Sequence, residues 1–181
     1  GSPEIARRHL REQDRLVAND AHGDTFAKLR QTLQRDGRAR CVQLDAWTAL
    51  SANIPPKENR GLVLIDPAFE KSDEFAQLAS ALYAAWKKWP TGHYAIWYPI
   101  TQAGLAEGFC QAIASSGITR ILRAELRVAA PRIPGMNACG MLIINPPWTM
   151  AAQLEILLPE LTRVLARDRG AWRCDWLVPE E

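Results

Sequence analysis

The chain lacks the features that mark membrane proteins and domains stabilised by disulfides or metals. None of its apolar runs approaches the ~18 residues that a membrane-spanning helix needs, and the opening segment GSPEIARRHLREQD has no apolar core of a signal peptide. Its four cysteines include no CxxC pair, which excludes a zinc ribbon and a dithiol redox motif. We therefore expect a soluble, cytoplasmic protein with no membrane partner and with reduced thiols.

An excess of charge of one sign is also missing. The sequence has 22 Lys and Arg residues against 20 Asp and Glu residues, so no overall potential draws it to nucleic acid or to a membrane. A nucleic-acid partner therefore has to bind through a local basic surface. The densest basic cluster consists of Arg7, Arg8, Arg11 and Arg15. The three histidines lie in separate elements without the spacing of metal ligands, so no metal site is expected.

Short apolar segments alternate with amphipathic segments of about a dozen residues along most of the chain. This alternation predicts an α/β fold with a mostly parallel sheet that helices cover on both faces. Two later β segments, RILRAELRV and CGMLIINPP, are expected to pair antiparallel, which makes the sheet mixed. The length of 181 residues fits one domain, 1–181.

Three aspartates each end a predicted strand: Asp20, Asp45 and Asp66. Because the carboxyl ends of parallel strands meet at one edge, where such sheets bind ligands, we expect these carboxylates to share a common rim. An acid in this place can accept hydrogen bonds from ribose hydroxyls or from an adenine amino group. For Asp20 and Asp45 the alternative is that each acid caps the following helix or is a solvated loop residue.

Asp66 begins the segment Asp66-Pro67-Ala68-Phe69, which follows the apolar run LVLI. The proline favours an extended conformation at Asp66 and donates no backbone hydrogen bond, so the carboxylate and nearby carbonyls remain acceptors. Such acceptors suit a planar amino group, and the ring of Phe69 offers a stacking surface for a flat base. The alternative is a structural strand exit with Phe69 in the core.

An apolar strand followed by D-P-P-[YF] is the amino-methyltransferase signature, and here it stands as Asp66-Pro67-Ala68-Phe69. Together with GSPEIARRHLREQDRLVANDAH, RGLVLIDPAFE, TGHYAIWYPI, GMNACGMLIINPPW and WLVPE, it makes nearly the whole chain resemble the 23S ribosomal RNA adenine-N6 methyltransferase J family. The resemblance implies a Rossmann-like methyltransferase fold, S-adenosylmethionine as cofactor, and methyl transfer to N6 of an adenine in 23S rRNA, with protein-free or early-assembly rRNA as partner. Family members have also carried a label for the use of external DNA.

The resemblance also implies roles for individual residues. Ser2 contacts the cofactor, Asp20 takes its ribose hydroxyls, and Asp45 with Ala46 borders its adenine. Asp66, counted with the cofactor site as well as the catalytic one, receives the target amino group, Pro67 supplies a carbonyl, and Phe69 supplies the stacking ring. These residues, at the positions that match the family motifs, are Ser2, Asp20, Asp45, Ala46, Asp66, Pro67 and Phe69.

Two departures from the family pattern bear on activity. Ala68 stands in place of the second proline, which loosens the segment that aims the acceptors. The glycines never form a GxG arrangement, so the glycine-rich cofactor loop and the first strand are missing. The chain is therefore expected to be a truncated methyltransferase domain, the C-terminal two-thirds of such an enzyme.

These departures keep a second class of function open, a non-catalytic nucleic-acid-binding or assembly domain derived from such a methyltransferase. A missing first strand exposes a sheet edge, which a homodimer could cover. A second motif, Asn145-Pro146-Pro147-Trp148, matches the amino-methyltransferase pattern letter by letter. It follows the late antiparallel segment, so we interpret it as a structural strand exit with Trp148 packed.

Overall fold

The computed structural model describes residues 1–69, 73–101, 103–130, 135–167 and 169–179. Their packing divides the chain into two compact units, Gly1–Ile54 and Pro55–Glu181. Ile54 has an extended backbone, as expected for a residue before proline, and ends the last helix of the first unit. The assignment of 1–181 to one domain stays a prediction. In the described part of the chain, no helix combines the length and apolar character that crossing a membrane requires.

The first unit contains three helices and two strands. In chain order they are α1 (Ser2–His9), β1 (Leu16–Asn19), α2 (Gly23–Leu33), β2 (Ala39–Val42) and α3 (Ala46–Asn53). The strands pair in parallel, with Leu16 opposite Ala39 and Asn19 opposite Val42. A parallel pair needs a crossover, which α2 provides. Carboxyl ends of both strands therefore lie at one edge of this sheet.

A small apolar core and an arginine network hold the first unit together. Leu33 is 1% exposed, and Ala18, Ala49 and Ile54 are buried with it. The guanidinium of Arg38 donates a 2.6 Å hydrogen bond to the Leu10 carbonyl and another to Asp36 Oδ2. The segment before β1 is thereby tied to the turn before β2.

The second unit contains five strands and three helices. They are β3 (Leu62–Ile65), α4 (Glu74–Lys88), β4 (His93–Pro99), α5 (Ala103–Ala114), β5 (Ile121–Arg127), β6 (Ala138–Ile144), α6 (Met150–Leu165) and β7 (Ala171–Val178). The sheet order is β3-β4-β6-β5-β7. β3 and β4 are parallel, whereas β6 and β7 run antiparallel to their neighbours.

The α/β class and the mixed sheet are confirmed, but two details of the sheet prediction are wrong. The described strands form two sheets and not one, because hydrogen bonds join β1 only to β2 and join β3 only to β4. Parallel pairings are not in the majority: two are parallel and three antiparallel. The reason is that β6 inserts antiparallel between β4 and β5 and β7 adds antiparallel at the edge.

Helices cover both faces of the five-stranded sheet. Tyr98 of β4 is fully buried, and its ring lies 5.8 Å from the ring of Phe109 on α5. On β7, Asp175 points to the same face as Tyr98, whereas Cys174 points to the other. α6 packs against β5 and β7.

Candidate active site

The segment Asp66-Pro67-Ala68-Phe69 lies directly after β3, at the carboxyl end of a parallel strand. Asp66 is exposed and Pro67 half-buried, and among the described residues no hydrogen bond or ion pair occupies the Asp66 carboxylate. An exposed carboxylate followed by proline is free to accept hydrogen bonds from an amino group. The alternative, a structural strand exit with Phe69 in the core, concerns the Phe69 ring and not this carboxylate.

Phe69 has a left-handed backbone, with φ of 53°, which is a rare conformation for a bulky side chain. Its ring packs 4.7 Å from the ring of Phe75 at the start of α4 and 6.1 Å from the ring of Trp97 on β4. Phe69 is half-buried by these contacts. The Phe69 ring, which we expect to stack on a base, is therefore in contact with two neighbouring aromatic rings.

The aromatic packing continues below the segment into the core. Phe75 lies 5.2 Å from Phe109, which in turn contacts the ring of Tyr98. The Tyr98 hydroxyl donates a 2.8 Å hydrogen bond to Glu125 Oε1, and burial is the main cause that raises the Tyr98 pKa far above its usual value. Gly140 makes room for this ring, since a Cβ there would lie 2.2 Å from Tyr98 Cζ. The Asp66 segment thus lies next to a tightly packed part of the core.

In the first unit, Asp20 and Asp45 lie at the same edge, beyond the carboxyl ends of β1 and β2. Asn19 joins the two loops, because its side-chain Nδ2 donates to the Leu44 carbonyl and its Oδ1 accepts from the Leu44 amide, both at 3.0 Å. The Asp20 amide donates to the Val42 carbonyl across the strands. The expectation that these two acids share an edge is confirmed. Asp66 belongs to the second unit, so the common rim of three aspartates stays a prediction.

Both acids of the first unit also make local hydrogen bonds. Asp20 Oδ1 accepts from the His22 amide at 3.0 Å and from Thr25 Oγ1 at 2.7 Å. Asp45 is the N-cap of α3, where Oδ1 accepts from the amides of Trp47 and Thr48. Hydrogen bonds from the Thr48 side chain and then its backbone lower the Asp45 pKa. The capping alternative is thus observed for Asp45, whereas the N-cap of α2 is His22, without a side-chain cap hydrogen bond. The cofactor role of each acid stays a prediction.

The remaining proposed cofactor residues stand at helix starts. Ser2 is the first residue of α1 and Ala46 the first residue of α3, and both are exposed. Backbone amides in the first turn of a helix have no partner within the helix. Ser2 and Ala46 therefore lie where a polar ligand can be received, although their contact with a cofactor remains a prediction.

Most arginines of the basic cluster form ion pairs with acidic side chains of the first unit. Arg7 and Arg8 both bond Glu4, at 2.7 and 2.8 Å, and Arg11 pairs with Asp14 at 2.9 Å. The hydrogen bonds from Arg7 and Arg8 lower the Glu4 pKa to about 2. Arg15 donates to backbone carbonyls only, within the described residues. In the part of the chain that the structure describes, no group of acids, histidines and cysteines is arranged to hold a metal ion.

The second motif, Asn145-Pro146-Pro147-Trp148, lies at the opposite edge of the five-stranded sheet. It follows Ile144, which pairs with Tyr94 near the amino end of β4, whereas Asp66 follows the carboxyl end of β3. Asn145 has φ of 53°, and its side chain donates to the Pro90 and Gly92 carbonyls at 2.7 and 2.8 Å. The prediction of a structural strand exit agrees with this geometry.

The expectation that Trp148 is packed is wrong, since it is 92% exposed. Two consecutive prolines restrict the backbone before it, and α6 begins only at Met150, so the side chain projects away from the sheet.

Sequence reasoning did not single out Asn19, Phe75 or Trp97 as parts of the two edges. A signal for Trp97 exists in HYAIWYP, where strict alternation of buried and half-buried residues places it on the face opposite Tyr98. Nothing in the sequence pairs Phe69 with Phe75, because the left-handed turn at Phe69 brings the rings together.

Comparison with known proteins agrees with the motifs. The family model described as "Ribosomal RNA large subunit methyltransferase D, RlmJ" matches residues 1–178. Proteins named "Ribosomal RNA large subunit methyltransferase J" from Haemophilus influenzae and Escherichia coli are each 37% identical over 182 aligned positions, which cover 99% of this chain and 65% of theirs.

A solved structure shows the same fold. The crystal structure of protein LPL1258 from Legionella pneumophila superposes with a TM-score of 0.91 at 30% identity, covering 97% of this chain and 66% of that chain. The chain thus spans about two thirds of the length of the relatives that it matches. Because this family model covers almost every residue, the chain belongs to the ribosomal RNA large subunit methyltransferase family RlmJ.

Proposed function

We propose that the protein to which this chain belongs transfers a methyl group from S-adenosylmethionine to N6 of an adenine in 23S ribosomal RNA. Family membership supports this activity, and the observation that carries it is the Asp66 segment. An exposed carboxylate lies at the carboxyl end of a parallel strand beside a ring fixed by two aromatic neighbours. Acceptors next to a stacking ring are what recognition of an adenine amino group requires.

We assign cofactor binding to Ser2, Asp20, Asp45, Ala46 and Asp66. Asp20 supports the assignment: both of its hydrogen bonds within the described residues use Oδ1, which leaves Oδ2 as an acceptor for a sugar hydroxyl. The donor set of this edge, carboxylates and helix-start amides, fits a nucleoside with hydroxyl and amino groups. When bound, S-adenosylmethionine supplies an activated methyl group.

The Asp66 segment performs orientation and not strong base catalysis. Asp66 and the Pro67 carbonyl accept the two N–H groups of the adenine amine, which aims its nitrogen lone pair, and Phe69 stacks on the base for ~1–3 kcal/mol. The amine does not need to lose a proton before it is alkylated, so the rate enhancement comes mainly from proximity and alignment.

The substrate is proposed to be 23S rRNA in a protein-free or early-assembly state, in the cytoplasm. The basic cluster of α1 contributes less to phosphate binding than its composition indicates, because Glu4 and Asp14 already engage three of its arginines. A phosphate has to compete with these carboxylates. Replacing Arg15 with Gln is therefore expected to lower the salt dependence of RNA binding more than replacing Arg8 with Gln.

Calorimetric titration with S-adenosylhomocysteine tests the assignment of the cofactor site. Micromolar binding that is lost in Asp20→Ala but kept in Asp24→Ala, an exposed acid of the same helix region, supports the proposal. Methyl incorporation into protein-free 23S rRNA from a labelled donor then tests the reaction. Absence of both signals would contradict a working site and favour a non-catalytic RNA-binding or assembly domain.

A homodimer is proposed as a second property, on the edge strand β3. This strand has one hydrogen-bonded neighbour among the described strands, and its side chains Leu62 and Leu64 are 67% and 48% exposed. An apolar edge strand without charges is a favourable template for pairing with a second copy. Sedimentation across a concentration series is expected to show a dimer that Leu64→Lys dissociates, and a monomer at every concentration would refute it.

A further inference from the structure

Two features of the Asp66 segment disfavour a single fixed conformation of its backbone. Ala68 replaces the second proline of the family pattern, so a restraint on the backbone is missing. Phe69 then adopts φ of 53°, which is unfavourable for a side chain of its size. A segment with an unrestrained alanine and an unfavourable turn needs support from outside itself to hold one conformation.

We propose that Phe75 and Trp97 are positioning residues that hold Phe69, and through it Asp66 and Pro67, in the geometry that the second proline favours elsewhere in the family. The inference rests on the proposed function, because it assigns a purpose to the placement of the Asp66 acceptors. It concerns residues that the family motif D-P-P-[YF] does not contain.

Both neighbours of Phe69 are placed on regular elements. Phe75 is the second residue of α4, and its ring is tilted by 42° to that of Phe69 at 4.7 Å. Trp97 belongs to β4, and its ring is tilted by 56° at 6.1 Å. Tilted rings at these separations attract each other, and such contacts offset the unfavourable backbone conformation of Phe69.

Register places Trp97 level with the acceptor. Ile65 of β3 is opposite Ile96 of β4, so Asp66 and Trp97 are the next residues along two parallel neighbouring strands. A ring at this position limits where the Asp66 segment can move across the sheet. Phe75 limits it from the helix side and is itself supported by Phe109 at 5.2 Å.

The fluorine NMR spectrum of the chain labelled with 4-fluorophenylalanine reports on this arrangement directly. The sequence contains four phenylalanines, so four signals are expected, and Phe→Leu variants assign them. In Trp97→Leu, the Phe69 signal should shift towards its position in the unfolded protein and broaden. The signal of Phe109, which is buried in the same unit, should stay away from its position in the unfolded protein and show that the variant is folded.

The decisive variant is Ala68→Pro in the Trp97→Leu background. Ala68 is not among the described residues with positive φ, and its amide donates no backbone hydrogen bond to a described residue, so proline would remove no such bond there. Restoring the family's second proline should narrow the Phe69 signal to its original line width, although the part of the shift that the Trp97 ring causes stays lost. Trp97→Phe, which keeps a ring, should also restore the line width, and Trp148→Leu, at an exposed tryptophan, should leave the Phe69 signal unchanged.

Two results would overturn the inference: a Phe69 signal that does not broaden in Trp97→Leu, or a broadened signal that neither Ala68→Pro nor Trp97→Phe narrows. Binding of a single-stranded, adenine-containing oligoribonucleotide separates this inference from the proposed function. If both hold, affinity falls roughly tenfold in Trp97→Leu and recovers with Ala68→Pro. If the oligoribonucleotide leaves the Phe69 signal of the unsubstituted protein in place while the variants behave as expected, the positioning holds and base recognition by this chain fails.

Discussion

Arg123 of β5 and Asp175 of β7 form a two-pronged ion pair across neighbouring strands, with Nε–Oδ1 and Nη2–Oδ2 distances of 2.9 and 2.7 Å. The Arg123 side chain is 2% exposed, whereas Asp175 is 37% exposed. Glu107 of α5 accepts from the third guanidinium nitrogen at 3.2 Å. One buried cation thus connects two strands and the helix that covers them, on the face of the sheet that also carries Tyr98.

Replacing Asp175 with Ala is expected to lower the free energy of unfolding by about 1–3 kcal/mol. Removing one partner of a fully buried ion pair costs ~3–5 kcal/mol, and the effect is smaller here because Asp175 is partly exposed and Glu107 still contacts Arg123. Urea unfolding measures the difference. Glu160→Ala, which removes the exposed pair with Arg163, serves as control and should change stability by less than ~1 kcal/mol.

The contribution of Asp175 should depend on pH. The hydrogen bond from the Arg123 side chain is the main cause that lowers the Asp175 pKa below 3.8. A carboxyl group whose pKa is lower in the folded state stabilises the protein above its unfolded-state pKa and loses this effect as pH falls through the folded-state value. The stability difference between the unsubstituted protein and Asp175→Ala should therefore shrink below pH 3.8, and a constant difference would contradict the assignment.

Asp66→Ala should lower methyl transfer to 23S rRNA roughly 10- to 100-fold, because the amine loses a charged acceptor that contributes ~1.5–3 kcal/mol. The melting temperature should stay nearly unchanged, since Asp66 is exposed and is paired with none of the described residues. Methyl incorporation and thermal unfolding are measured on the same samples. Glu58→Ala, an exposed acid in the same unit, should leave both values unchanged, and an equal loss of activity there would remove Asp66 from the site.

Two glycines of the second unit should respond in opposite directions to alanine. Gly140→Ala places a Cβ 2.2 Å from Tyr98 Cζ, in a packed core that cannot yield easily, so we expect a loss of about 1–3 kcal/mol. Gly108 lies inside α5, where an added Cβ would meet nothing within 4 Å, so Gly108→Ala should stabilise the protein by ~0.5–1 kcal/mol. Chemical denaturation of both variants checks the signs, and a neutral Gly140→Ala would show that Tyr98 can move.

Asp45→Ala should destabilise the first unit by ~1 kcal/mol, because α3 loses its N-cap. Asp45→Ser keeps a capping oxygen and should recover most of that loss. The two functions of Asp45 separate here: binding of S-adenosylhomocysteine should be weakened in both variants if its carboxylate also borders the adenine. Equal affinity of Asp45→Ser and the unsubstituted protein would leave Asp45 with a capping role alone.

The strand and helix order could be predicted from the sequence because the apolar periodicity changes clearly between period 2 and period 3.6. HYAIWYP alternates in sequence as β4 alternates in burial, and FAQLASALYAAW carries the buried Leu78 and Leu82 of α4 at helical spacing. Asp20, Asp45 and Asp66 were recognised as strand-end residues for the same reason. Periodicity depends only on residues that are close in the chain, so it can be read directly from the sequence.

Pairing between strands was harder to predict, since hydrogen bonds between distant segments leave little trace in either of them. The insertion of β6 between β4 and β5, and the division into two sheets, depended on such long-range bonds. The exposure of Trp148 could not be predicted, because it depends on the direction that the backbone takes after Pro146 and Pro147.

The sequence by itself determined the alternation of strands and helices, the three acids at strand ends and the motifs that indicate the methyltransferase J family, because each is written within a few consecutive residues. Only the tertiary structure decided that Phe69 turns left-handed into the rings of Phe75 and Trp97, and that Asn19 joins the two loops of the first unit. The contacts of Phe69 with Trp97 and of Asn19 with Leu44 join residues that lie far apart in the chain, and only folding brings them close enough to interact.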